Sequence, residues 1–447
     1  MVRPSAPRAR RLSARVPGAV AGAMLACGVP AAGQPTDGAA SPVTPAGQGG
    51  AESAAAPIRL SGQLRERISW LSAIAFDRSD PTAGLFWTQR ATLTADADIA
   101  PKLRARASLV SALIAGGDET SPAERNVLDV QEAFLEIGPE AAFLRLGRQE
   151  IRLGSQRLVA VREGTTVRRT WDGVRGHAAL GKLALDAFAL RLVAVRPAGV
   201  FNDGRNEGRD LAGVQAGFPA LSGTLEAYWL ATSIDARRTL EGTADERRHS
   251  FGLRAAGARG GWFWDWEAVY QMGRLGTGTI RAWTLASKTG HRWEQAAWRP
   301  EVMFSANIAS GDSARGDGRL GTFNALYPNA SYFSEDAVLG PSNFFNFHPY
   351  VTVHPREDLT LGLDLNLFWR LSRQDGVYSP QGALIRAPDE TRARFVDAAL
   401  SGVAEWTPRP GLLLSLVATH SRPQGFIRAT GPSDPSDFVE ATVQVTF

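Results

Sequence analysis

The sequence predicts an all-β fold: a transmembrane antiparallel β-barrel of about 18 strands, with short periplasmic turns and long extracellular loops. Three observations predict it. Apolar and polar residues alternate in segments of about ten residues, the length of a tilted membrane strand. The connections between segments alternate between short and long, which is the asymmetry of outer-membrane barrels. No stretch offers the roughly 20 apolar residues that a membrane helix needs.

The alternation begins at Ile58. Trp87, Ala91, Leu93, Ala95, Ala97 and Ile99 oppose Thr88, Arg90, Thr92, Thr94, Asp96 and Asp98. Leu359, Leu361, Leu363, Leu365, Leu367 and Trp369 oppose Thr360, Gly362, Asp364, Asn366 and Arg370. In the last segment, Val439, Ala441, Val443, Val445 and Phe447 oppose Glu440, Thr442, Gln444 and Thr446. Alternation alone suits a soluble sandwich equally well, so connection lengths decide. Strands are expected to begin near residues 58, 86, 102, 127, 142, 173, 183, 211, 223, 248, 262, 279, 299, 344, 359, 394, 412 and 437. Between them, 100–101, 138–141, 181–182, 219–222, 354–358 and 407–411 are short. Segments 72–85, 152–172, 196–210, 233–247, 311–343, 371–393 and 421–436 are long. Region 273–298 breaks the pattern, with a short connection where a long one is due. An even strand number puts both ends on the short-turn side.

Trp70, Phe86, Trp87, Trp229, Trp262, Trp264, Trp369, Trp406 and Phe447 fall near strand ends, where interfacial girdles form. A terminal Phe on an alternating strand is the kind of signal that barrel assembly machinery reads.

Ahead of the barrel, Arg8, Arg10, Arg11 and Arg15 precede a short apolar run, 17–27, and then Ala31, Ala32 and Gly33. This is the layout of a signal peptide over 1–33. Residues 34–57, rich in Ala, Gly and Pro, read as a disordered linker. The barrel occupies 58–447. The chain carries +4, but residues 1–33 hold five arginines and no acid. Subtracting five from 49 leaves 44 basic against 45 acidic residues, so overall basicity gives no reason to expect nucleic-acid binding. The single cysteine, Cys27, lies in the leader, which excludes a disulfide or thiolate metal site in the barrel. No cofactor or metal is expected; Asp312, Asp317 and Gly318 only hint at a calcium loop, with irregular spacing.

Two stretches carry a family resemblance. The first contains Val130-Gln131-Glu132-Ala133-Phe134-Leu135-Glu136 and Leu146-Gly147-Arg148-Gln149-Glu150. It runs on through Gly154, Arg157, Arg162-Glu163-Gly164 and Val167-Arg168-Arg169 to Trp171-Asp172-Gly173-Val174-Arg175. The second contains Ala309-Ser310-Gly311-Asp312, Phe323-Asn324-Ala325-Leu326-Tyr327-Pro328, Tyr332-Phe333, Asn343, His348-Pro349, Phe368-Trp369-Arg370 and Asp375-Gly376-Val377-Tyr378. Over residues 58–447 the chain resembles the alginate export family of outer-membrane porins. The resemblance implies a monomeric eighteen-stranded barrel that passes an anionic polysaccharide outward, with periplasmic export proteins as possible partners. It also implies that the first stretch shapes the constriction, with Arg148, Arg157, Arg162, Arg168 and Arg169 beside Glu150, Glu163 and Asp172. His348-Pro349 is expected in a turn at the periplasmic end.

Lysine occurs only at Lys102, Lys182 and Lys288; the rest of the basic charge is arginine, whose planar fork grips carboxylates. Arg65, Arg67, Arg90, Arg104, Arg106 and Arg370 fall on polar strand faces, because a charge facing lipid at mid-membrane costs about 2–4 kcal/mol. The candidate lumen residues are therefore Arg65, Arg90, Arg104, Arg148, Arg157, Arg168, Arg169 and Arg370, with Glu150, Glu163 and Asp172 as charge partners. Bracing of the barrel wall is an equal alternative for each. The expected solute is an anionic polysaccharide; a general, small-anion or aromatic-solute porin is the alternative. A barrel enzyme is the remote one, since no nucleophile or metal spacing surrounds any of the six histidines. Segment 311–343 is expected over the mouth or inside the lumen.

Overall fold

In a strand, neighbouring side chains point to opposite faces, so each alternating segment has one apolar and one polar side. The computed structural model, which describes residues 58–332 and 335–447, shows which side meets solvent. Leu363 is 55% exposed while its neighbour Asp364 is 3% exposed, and Val443 is 45% exposed beside buried Thr442. The exposed belt is apolar, and Arg65, Arg90, Arg248, Arg254, Asp265 and Glu267 are buried. That inversion is stable only when the outer surface meets hydrocarbon, which makes this a membrane barrel. No helix among the described residues is long and apolar enough to cross a membrane. The expected leader and linker, 1–33 and 34–57, lie outside the described residues.

Eighteen strands form the wall: β1 Ile58–Leu71, β2 Gly84–Ala100, β3 Leu103–Ala115, β4 Asn126–Ile137, β5 Ala142–Gln149 and β6 Trp171–Leu180. There follow β7 Leu183–Ala194, β8 Gly204–Ala220, β9 Gly223–Thr239, β10 Gly242–Arg259, β11 Trp262–Leu275 and β12 Gly278–Arg292. The circuit ends with β13 Glu301–Ala309, β14 Phe344–Arg356, β15 Leu359–Arg370, β16 Phe395–Arg409, β17 Leu412–Pro423 and β18 Ser436–Thr446. Each pairs antiparallel with the next, and β18 closes on β1 with Leu64 opposite Val445 and Ile68 opposite Ala441. Closure leaves no unpaired edge in lipid. At the seam, Gly62 and Phe447 exchange backbone hydrogen bonds of 2.8 and 3.0 Å. The Phe447 ring lies where a Cβ on Gly62 would stand, so only glycine lets it seat.

All eighteen expected strands are present, with two large boundary differences. Strand β8 begins at Gly204, not near 211, and β10 at Gly242, not near 248. The expected loop 233–247 is a hairpin whose tip is 240–241. Above the hydrocarbon both strand faces meet water, so charged runs such as Gly204–Asp210 carry no apolar alternation to mark them. The anomaly at 273–298 is real: β11 and β12 join through 276–277 at the long-loop end, and 293–300 forms the long periplasmic turn.

Trp70, Trp229, Trp262, Trp406 and Phe447 are exposed on the outer face at the two rims. Phe86 is not in the girdle; it turns inward and is 6% exposed, because Trp87 beside it takes the outward position. His348 also departs from expectation. It lies within β14, four residues from its extracellular start, and faces Asp364 of β15 at 2.5 Å. Both His348 and Pro349 remain part of the strand.

Candidate functional site

The sequence after β5 leaves the wall: Ile151, Leu158, Val159 and Val161 need burial, while the arginines and acids around them need partners. The structure satisfies both by crossing the lumen. Loop 150–170 forms a strap between two opposite sectors of the barrel.

At one end the strap rests on β1 and β2. Arg65 donates to the carbonyl oxygens of Glu163 at 2.9 Å and Thr165 at 2.7 Å. Arg67 donates to the Gly164 carbonyl at 2.5 Å. Arg90 donates to the Glu163 carboxylate and, at 2.8 Å, to Gln63 Oε1. Arg168 adds a 2.7 Å contact to Glu163 and lies 3.5 Å from Glu150. Glu163, with 43% of its side chain open to the lumen, is thus shared by three arginines. Burial works against its charge, yet Arg90, Arg168 and Arg65 outweigh it and bring the carboxyl down to about 2. Behind the strap, the Glu124 carboxylate accepts the Thr166 amide at 3.1 Å and hydroxyl at 2.6 Å. Full burial pushes this carboxyl up to about 7.

The other end is fastened to β11. Arg157 lies 3.0 Å from Asp265 and 2.9 Å from Glu267. Ser155 donates to Glu267 at 3.1 Å. Arg254 completes the cluster, 2.9 Å from Asp265 and 2.8 Å from Glu226. In an eighteen-stranded ring, β1–β2 and β10–β11 are half a circuit apart, so the strap spans the channel.

The strap's middle pairs with the second inserted loop, 310–343. The Tyr327 amide donates to the Leu158 carbonyl at 2.8 Å, and the Ala160 amide to the Tyr327 carbonyl at 2.9 Å. Trp171 meets the Tyr327 ring edge-on at 4.7 Å between centroids. Phe323, Val338, Leu339 and Phe344 pack with Leu158 and Val159 in one apolar cluster. Segment 311–343 therefore folds inward rather than over the surface. Near its end, burial and the carboxylates of Asp364 and Glu405 raise the Glu335 carboxyl well above the ordinary range. Among the described residues no three His, Cys, Asp or Glu side chains converge as a metal site, and Asp317 accepts the Arg319 amide at 2.8 Å.

The expected lumen residues sort into three groups. Arg65, Arg90, Arg157, Arg168, Arg169, Glu150 and Glu163 all meet at the strap. Arg148 braces the wall, 2.9 Å from Asp172 and 3.6 Å from Asp129. Arg104 pairs with Glu136, which Arg145 also holds at 2.6 Å. Arg370 ties down loop 371–394 through the carbonyls of Thr391 at 2.6 Å and Ala393 at 2.9 Å.

Two residues that the sequence reading missed, Arg209 and Arg237, join Arg169 around Tyr327, with Arg162 next to Arg169. Arg169 donates to the carbonyls of Tyr327 at 2.6 Å and Ala160 at 3.0 Å, and its guanidinium stands 5.1 Å from the phenol ring. Burial, then the charges of Arg162 and Arg209, lowers the Arg169 guanidinium to about 9. Arg237 and Arg162 each keep a buried Nε without a partner. The acid nearest Arg237 in effect, Glu246, is committed to Arg248 through both oxygens, at 2.9 and 3.1 Å. Among the described residues, none of these four arginines forms an ion pair. Residues 209 and 237 fell in expected loops, so the period that would have placed them inside was invisible.

The sequence profile for alginate export matches residues 57–439. The chain belongs to the alginate export family. No curated protein sequence is detectably similar to this alginate export family member. Among solved structures its fold is similar to Pseudomonas aeruginosa OccK3 (OpdO), at 10% identity and a TM-score of 0.60, covering 87% of this chain and 95% of that one. It is also similar to P. aeruginosa OccK2 (OpdF) in complex with glucuronate, at 13% identity and a TM-score of 0.56, covering 87% and 98%. A third likeness is P. aeruginosa OpdK with vanillate, at 12% identity and a TM-score of 0.57, covering 87% and 98%. The family and the closed barrel make this a multi-pass outer-membrane channel whose wall meets lipid and whose cargo is anionic.

Proposed function

We propose that this channel passes an acidic polysaccharide such as alginate, and that its solute moves past Arg162, Arg169, Arg209 and Arg237. The observation that carries the reading is that, among the described residues, no carboxylate pairs with these four guanidinium groups beside the strap. Arg65, Arg90, Arg157 and Arg168 at the strap are neutralised by carboxylates; these four meet at most backbone carbonyls and have charge to spare. Several weak, successive guanidinium sites admit a polyanion and still release it. The complex of OccK2 with glucuronate supports the reading, since it records a uronate in a barrel of this fold. We read the protein as a channel and not an enzyme. His420, the histidine nearest to the outer rim, lies on the outward face and is bound to Asp437 at 2.7 Å. Assembly machinery, periplasmic export proteins and a monomeric state belong to the same proposal.

A second reading, a porin for small carboxylates, is favoured by the strap itself, which narrows the lumen, and by OpdK with vanillate. Planar-bilayer recording separates the two. The polysaccharide reading requires anion-selective current and block that deepens from monomeric to longer oligouronates. Cation selectivity refutes both. Anion selectivity with block no deeper for oligouronates than for single uronates refutes the first.

A further inference from the structure

The outer face of β10–β12 carries three arginines that the channel does not use. Arg247, Arg274 and Arg281 are exposed and stand on the same parity as Phe251, Tyr270 and Trp283, which face lipid. Arg247 is directly opposite Arg274 in the β10–β11 register. Arg281 is opposite Met272, one diagonal step from Arg274. Like charges directly opposite across a sheet repel. Among the described residues none of the three has an ion pair or side-chain hydrogen bond. The acid just above them, Asp245, sits at a β-bulge and accepts the Ala236 amide at 3.0 Å.

Their height is set by the register. Arg274 lies four residues beyond Tyr270 toward the extracellular tip, about 10 Å above it for a tilted strand. Phe251, Tyr270, Trp283 and Trp229 mark the upper aromatic girdle, so the arginines stand in the headgroup layer, where a lipid-face charge costs little. Below the same girdle the wall is indented. A groove of about 390 Å³ opens between Leu253, Trp266, Leu285 and Ile308, over the small side chains of Ala255 and Ala268. Charge above on β10–β12 and an apolar slot below that runs from β10 to β13 are the two halves of one amphiphile site.

We infer that this face binds a phosphorylated, multiply acylated glycolipid of the outer leaflet, with lipid A chemistry. Its phosphates sit among Arg247, Arg274 and Arg281, and one acyl chain enters the groove. The phosphate relieves the repulsion between Arg247 and Arg274, which no ion pair does among the described residues. The occupant belongs to the outer leaflet because the arginines are at the long-loop end.

The test uses the full-length protein in detergent, titrated with bis-phosphorylated lipid A and read by native mass spectrometry. Each arginine near a charged headgroup layer contributes about fivefold in affinity. R247Q/R274Q/R281Q is therefore expected to bind lipid A about 100-fold more weakly. A268W, which fills the groove, is expected to weaken it several-fold further. Unaltered protein is expected to bind dephosphorylated lipid A as weakly as the triple variant binds the intact lipid. Inorganic phosphate at millimolar concentration should not compete. Equal affinity of the unaltered protein for intact and dephosphorylated lipid A overturns the proposal, and this arm needs no variant to fold. So does a triple variant that still migrates as a folded barrel and binds lipid A normally. Phosphatidylglycerol binding as tightly as lipid A overturns the assignment to the outer-leaflet glycolipid.

Discussion

The strap's far anchor gives the most direct perturbation. Replacing Arg157 with glutamine removes the guanidinium that lies 3.0 Å from Asp265 and 2.9 Å from Glu267. Breaking a buried pair from one side costs about 3–5 kcal/mol when the remaining charge is abandoned. Here it is not wholly abandoned. Asp265 keeps Arg254 at 2.9 Å, and Glu267 keeps the Tyr228 hydroxyl at 2.6 Å and Ser155 at 3.1 Å. The cost therefore falls to about 2–3 kcal/mol, or roughly 30- to 150-fold in the equilibrium between seated and released strap. The near end stays held by Arg65, Arg67 and Arg90, so the strap swings from one wall while the barrel stays closed. Hydrogen exchange read by mass spectrometry is the assay. The amides of Ala160 and Tyr327, which bond across the two loops, should exchange about 30- to 150-fold faster, and single-channel conductance should rise. Arg148→Gln, which disturbs only the wall, should leave both readings unchanged. If Arg157→Gln leaves exchange at 158–161 and conductance as they were, the strap is not held from β11.

Three further outcomes are expected. Replacing Arg209 and Arg237 together with glutamine should cut the anion-to-cation permeability ratio by at least severalfold in bilayer recordings, whereas Arg104→Gln, at a paired wall site, should change it little. Glu124 ties strap stability to pH. Its folded carboxyl titrates near 7 against an ordinary value of 4.5, so the strap is most stable below about 4.5 and loses roughly 3 kcal/mol as pH rises to about 7. Exchange at Thr166 should accelerate over that window, and Glu124→Gln should abolish the dependence. Gly62→Val should displace the Phe447 ring at the seam; slower assembly and a lower melting point on heat-shift electrophoresis, by a few degrees or more, are expected, and an unshifted barrel would discount the seam contact.

How much of this was legible in the sequence follows from what each residue faces. Within the hydrocarbon, one strand face must be apolar, and the period of Leu359 to Trp369 or Val439 to Phe447 declares itself. Above the hydrocarbon that demand stops, and the start of β8, with Arg209 in it, and the hairpin from the end of β9, with Arg237, into β10 became invisible. Phe86 and Trp87 show the same limit on a smaller scale: two adjacent aromatics cannot both face lipid, and composition does not say which does. The strap was legible as a constriction only through the family resemblance. That Arg157 and Arg65 would hold opposite walls depends on closure of the ring, which places β1 and β10 half a circuit apart.

The same closure changes what arginine content means for transport. A lumen rich in arginine invites the expectation of an anion path along all of it. Yet Arg65, Arg90, Arg148, Arg157 and Arg370 spend their hydrogen-bond donors on Glu163, Asp172, Asp265 and backbone carbonyls, and Arg104 on Glu136. A guanidinium so saturated keeps its geometry and offers little to a passing carboxylate. Its contribution is rigidity: a strap pinned at both ends keeps the aperture at one width. Selectivity then falls to the few arginines at the strap that no carboxylate neutralises, and these converge where the strap meets Tyr327. The division predicts a pattern that a uniform basic lumen does not. Removing an arginine that pins the strap to the wall should alter conductance and gating noise with selectivity preserved, and removing one without a carboxylate partner should alter selectivity with conductance noise preserved. Finding both properties change together at every position would mean that the lumen acts as one diffuse field and that the pairing seen around the strap is incidental to transport.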